Sequence, residues 1–138
     1  MINYYGIYKW NYLRNECKLS SAQLETDMFN EEYLEWRGAL CELLDVEFGD
    51  TISRILADVV DAYCDMNFVL QGSKAKGDFD ARKDRILEYV YETTVSCLLN
   101  YHVQNPRQLL EEADSLVLHA NSMKPIKKTT TKIEKGLD

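Results

Sequence analysis

The sequence predicts an all-α fold, with four main helices packed as a bundle, an aromatic N-terminal arm and a lysine-rich C-terminal tail. Three observations carry that reading. No segment sustains the two-residue apolar alternation of a strand, beyond a short piece near the N-terminus. Glycine and proline fall where they leave four long uninterrupted stretches. Within those stretches apolar residues recur at three- and four-residue spacing, which gathers them on one helical face.

Each element follows from its punctuation. Ser20 or Ser21 can cap a first helix running to about Asp45, with Leu24, Met28, Leu34 and Leu40 among its core candidates. Phe48-Gly49-Asp50 interrupts it. Asp50 or Thr51 caps a second helix that runs to about Gly72, and the stretch GSKAKGDFD reads as a loop. A third helix, from about Ala81 to Tyr101, carries Ile86, Tyr89, Val90, Leu98 and Leu99. Pro106 suits the first turn of a fourth helix, which ends near Asn121 before Pro125 stops any continuation. Residues 1–121 therefore read as one domain and 122–138 as a basic tail.

Composition narrows the classes. A 138-residue chain with 46% hydrophobic residues is long enough for one real core and too apolar for disorder. No apolar run approaches the ~20 residues of a membrane span, and the N-terminus lacks the pattern of a signal peptide. Cys17, Cys41, Cys64 and Cys97 are far apart, without C-x-x-C spacing, and read as reduced thiols of a cytoplasmic protein. The net charge of −7 disfavours nucleic-acid binding. Lys124 to Asp138 hold five lysines and two acids, a net of +3, so the first 123 residues carry −7 − 3 = −10. An acidic body suits a cation; the basic tail suits an anion, or else is a solubilising end.

The acids are not scattered. Between Ile55 and Leu70 the charged residues are Asp58, Asp61 and Asp65, three and seven apart, hence a single stripe on an otherwise apolar helix. Carboxylates in such a setting repel one another and need compensation, for which a divalent cation with oxygen ligands is the simplest source. A second set, Glu31-Glu32-Tyr33-Leu34-Glu35, lies on the preceding helix with Glu32 and Glu35 one turn apart. Alone it would read as a solvated helix face; paired with the aspartate stripe it reads as the other half of a metal site. Arg54, one turn before Asp58, reads as its ion-pair partner or as a phosphate contact. A di-iron bundle needs Glu-x-x-His, but Leu99 and Leu116 stand three before His102 and His119, which excludes that class.

Glu31-Glu32-x-x-Glu35, a spacer from Trp36 through Ala57 of 22 residues, and Asp58-x-x-Asp61 resemble the motif order of the MazG-like all-α nucleoside triphosphate pyrophosphohydrolases. Dimeric dUTPases and phosphoribosyl-ATP pyrophosphohydrolases are relatives within that superfamily. A third block, Asn121-x-x-Lys124, resembles the family's N-x-x-K arrangement after its last long helix. Asp58 departs from the pattern, which usually has Glu there, and the stretch from about Lys74 to Gln104 is longer than in many relatives.

The resemblance implies an Mg²⁺-dependent enzyme (Mn²⁺ as the alternative ion) that cleaves an NTP or dNTP to the monophosphate and pyrophosphate. It assigns Glu32, Glu35, Asp58 and Asp61 as metal ligands and Glu31 as the residue that orients and deprotonates water. Asp65 is an additional metal contact, or else a capped or lysine-paired aspartate. Asn121 and Lys124 would hold the outer phosphates. A homodimer or homotetramer is expected, without membrane or nucleic-acid partners. Tyr33, Trp36, Tyr63 and Phe68 are either core or a stacking surface for a base. The alternative function is a non-catalytic oligomeric interaction module that retains the acidic stripe.

Overall fold

The computed structural model describes residues 22–45 and 49–122, with the two helical positions Gly6 and Lys9; side chains at 49, 50, 121 and 122 fall outside that description. The rest of the aromatic arm, Ser20 and Ser21, Cys17 and the tail with Lys124 lie outside the described residues. The described chain is all helical, without strands: α1 Ala22–Leu44, α2 Gly49–Ala75, α3 Ala81–Asn100 and α4 Pro106–Ser122. None of these helices is long and apolar enough to cross a membrane.

Helix α2 is the centre of the assembly and contacts each of the other three. Its apolar residues point several ways, and Ile55, Val59, Tyr63, Met66 and Leu70 are all buried. Helix α1 lies along it as the more extensive of its packing partners, burying Phe29, Trp36 and Leu43 at seven-residue intervals. That row, not the expected one, is the core face. Leu24 and Leu34 are exposed, because the Phe29, Trp36 and Leu43 row occupies the packed face, and Met28 and Leu40 are half-buried. In α3, Leu87, Val90, Val95 and Leu98 face inward while Tyr89 and Leu99 are exposed.

One buried hydrogen bond ties α1 to α3. Trp36 Nε1 donates to Thr94 Oγ1 at 3.0 Å, and that hydroxyl donates on to the Val90 carbonyl at 2.7 Å. Trp36 and Tyr63 are thus core residues, with exposures of 1% and 0%. On α3 and α4, Arg107 forks onto both oxygens of Glu92 and lies 5.4 Å over the Tyr91 ring.

The helix ends explain where sequence punctuation misleads. Helix α2 passes through the buried Gly72 and stops three residues later than expected. Its true terminator is Gly77, with φ 89°, where the Asp78 N–H reaches the Ser73 carbonyl and the Gly77 N–H reaches Lys74. Asp80 caps α3 by accepting from the Arg82 N–H at 2.9 Å, a bond that holds its carboxyl below the usual range. The same helix ends on His102 at φ 69°, with Val103 and His102 N–H groups bonded to the Leu98 and Leu99 carbonyls. A histidine here occupies the left-handed position that glycine ordinarily takes.

Candidate metal centre

The register of the α1–α2 hairpin decides which acids meet. At one end Glu25 contacts Ser73 and Lys76; at the other Glu42 approaches Arg54 at 4.0 Å. Arg54 therefore pairs across the hairpin with Glu42, both largely exposed, and not with Asp58 along its own helix. Halfway between these ends, Glu32 and Glu35 lie opposite the turn that carries Asp65. One oxygen from each of Glu32, Glu35 and Asp65 falls within 4.8 Å of the others.

Asp65, the residue with two open readings, is thus the stripe's member in the cluster, and among the described residues no cation pairs with it. Asp61, one turn earlier, is exposed and close enough for its charge to act on Asp65. Asp58 is exposed a further turn away, toward the Arg54 end, and stands outside the group. Glu31 is exposed, and its charge reaches Glu32. Asn121 lies in the last turn of α4, its side chain outside the description, as is all of Lys124.

The electrostatics of the group are one-sided. Burial, then the charges of Asp65, Glu35 and Glu31, push the Glu32 carboxyl up to about 7. Burial, then Asp61 and Glu35, raise Asp65 to about 6. Glu32 Oε2 is shut off from solvent without a hydrogen-bond partner. A half-buried carboxylate with an orphaned oxygen and acid neighbours takes up a proton more readily than a free one, and a cation would compete for the same place.

The donor set fits a hard divalent cation. All three groups are carboxylates, the oxygen chemistry that Mg²⁺ and Mn²⁺ select, with no imidazole or thiolate among them. Oxygens sharing one Mg²⁺ stand roughly 3–4 Å apart, given bonds of about 2.1 Å. Binding one ion would draw the three side chains together by that difference. Three protein ligands leave positions for water and for a substrate oxygen.

Asp61 also borders an open groove of about 470 Å³ between α2 and α4, walled by Leu56, Val60, Cys64, Leu109 and Leu116 among others. Burial raises the Cys64 thiol far above its ordinary value, with Asp114 adding to the effect, so this cysteine is protonated and inert. The sequence reading passed over Asp114 itself, a fully buried acid on α4. Its signal was present: Leu110, Ala113, Asp114 and Val117 share helical spacing, which places an acid on the apolar face. Comparison with known proteins matches no protein family, no curated protein and no solved structure.

Proposed function

We propose that this chain is a metal-dependent nucleoside triphosphate pyrophosphohydrolase of the MazG-like type. The observation that carries the reading is the convergence of Glu32, Glu35 and Asp65 from two antiparallel helices, with their ligand oxygens within 4.8 Å. The order of the acidic blocks supports it from the sequence side.

In this reading Glu32, Glu35 and Asp65 hold Mg²⁺, and Asp61, next to Asp65 in charge if not in contact, completes the acidic face. Asp58 becomes a peripheral member of the stripe. The bound cation would neutralise phosphate oxygens and acidify a water. Glu31 stands beside Glu32 on the solvent side, where an exposed carboxylate can orient that water and take its proton. The groove beside Asp61 offers apolar cover for the nucleoside. Asn121 and Lys124 remain the proposed contacts to the outer phosphates, and assembly as a homo-oligomer remains part of the proposal.

Incubating the protein with each NTP and dNTP, with Mg²⁺ or Mn²⁺, tests this directly. Release of a monophosphate together with pyrophosphate from at least one nucleotide is the expected result. Metal binding without turnover of any nucleotide would return the chain to the non-catalytic interaction module.

A further inference from the structure

The aspartate stripe of α2 has a counterpart on the far side of the same helix, since Asn67 stands two residues, about 200°, from Asp65. There Asn67 Nδ2 donates to Asp114 Oδ1 on α4 at 3.3 Å, inside the core. Asn67 is oriented in turn by Gln71, whose Nε2 donates to Asn67 Oδ1 at 3.3 Å and so leaves the Asn67 amide hydrogens for Asp114. Burial raises the Asp114 carboxyl to about 6, and the neighbouring Asn67, Cys64 and Tyr63 groups act against that rise. Asn67, Gln71 and Asp114 are 0%, 4% and 1% exposed.

A buried carboxylate is an expensive way to join two helices. Apolar packing would do that without desolvating a charge. What the carboxylate adds is direction. It is acceptor-only when ionised, and the group that donates to it is the Asn67 amide, buried on one turn of α2. That turn is the one that carries Asp65. A rotation of α2 about its axis would carry Asn67 away from this fixed acceptor on α4.

We infer that Asp114 is a positioning residue for the metal centre: it indexes the rotation of α2 and so presents Asp65 to Glu32 and Glu35. The inference rests on the metal-centre reading above. Its leverage is geometric. On a helix of about 5–6 Å outer radius, a 20° rotation carries a surface carboxylate about 2 Å. Metal ligands tolerate displacements of only about 0.2 Å from ideal distances. Loosening the grip on the 63–67 turn therefore weakens cation binding before it melts the helix.

The test is Mn²⁺ affinity, read from free Mn²⁺ by electron paramagnetic resonance, in the full chain at a temperature where circular dichroism reports each variant folded. Asp114→Asn keeps shape but turns an N–H₂ toward donors; Asp114→Leu removes the acceptor. Leu110→Ala, on the same helix and fully buried, is the control that loosens the core without touching the network. Both Asp114 variants are expected to bind Mn²⁺ at least tenfold more weakly, as with other outer-shell supports, while Leu110→Ala stays within about twofold of the parent chain. Asp114 variants with unchanged affinity, or a Leu110→Ala loss as large as theirs, would overturn the positioning role while leaving the metal centre standing. A parent chain that binds no Mn²⁺ removes the metal centre and this role together.

Discussion

Glu25 and Glu32 stand two turns apart on α1 and face the same neighbouring helix, yet their surroundings are opposite. Glu25 is 1% exposed, accepts from Ser73 Oγ at 2.6 Å and from Lys76 Nζ at 3.2 Å, and so has a partner for each oxygen. Glu32 is less deeply placed, but one of its oxygens has no partner and its charged neighbours are Asp65, Glu35 and Glu31. The fold thus supplies a hydroxyl and an ammonium where a buried glutamate is structural. At Glu32 it supplies more negative charge instead. Among the described residues none supplies the missing positive charge, which a proton or a bound cation would provide, and on that difference the proposed metal site rests.

The sharpest way to break this contrast is to remove a cluster acid. Asp65→Asn is expected to reduce turnover by more than about 10³-fold, since a catalytic cation contributes several kcal/mol to the transition state. The same change should abolish the rise in melting temperature on adding Mg²⁺. Asp58→Asn, outside the cluster, should leave both within a few-fold of the parent. Steady-state kinetics and thermal melts of the two variants side by side decide it; a large loss in Asp58→Asn instead would move the centre two turns along α2.

A smaller effect is expected at the structural end. Glu25→Gln discards the charge that answers Lys76 and should lower stability by about 1–3 kcal/mol. At this chain length that is roughly 3–10 °C in melting temperature. The Mg²⁺-dependent increment should be untouched, because the loss is local to the Glu25 pair. An altered increment would mean that the two ends of the hairpin are coupled.

The smallest effect is a dependence on pH with two opposite signs. Glu32 and Asp65 have folded-state values of about 7 and about 6, above their ordinary 4.5 and 3.8. Between those limits the folded protein holds more protons than the unfolded chain. Their contribution is complete below the unfolded values and is lost as pH rises through about 6 to 7. Without metal, the melting temperature should therefore fall by a few degrees from pH 5.5 to pH 8. Asp114, raised to about 6 by burial, acts in the same direction. The Mg²⁺-dependent increment should instead grow over the same range, because the cation competes with protons for these oxygens. Calorimetry at four or five pH values separates the two; an increment that shrinks with pH would be incompatible with carboxylate ligation.

Much of this was legible without coordinates. The all-α class followed from periodicity, the break before α3 from GSKAKGDFD, the start of α4 from Pro106, and the two acidic helices from their spacing. These are local properties, set by the backbone geometry of neighbouring residues, and a linear reading has access to them. What it could not give is which turn of α2 faces which turn of α1. Asp58, Asp61 and Asp65 are equivalent as a stripe. Only the register fixed by Glu25 with Ser73 and Lys76, and by Glu42 with Arg54, brings Asp65 rather than Asp58 to Glu32 and Glu35. In the same way Leu24 and Leu34 match a helical period but are exposed, because the Phe29, Trp36 and Leu43 row wins the interface. Gly72 looks like a stop and is an interior residue, because tertiary packing outweighs a glycine's cost of about 1 kcal/mol in a helix. The sequence by itself determined the helices and the acidic side chains they carry. The tertiary structure decided which carboxylates share a space, since long-range contacts, not local propensities, choose the axial register and rotation of one helix against another.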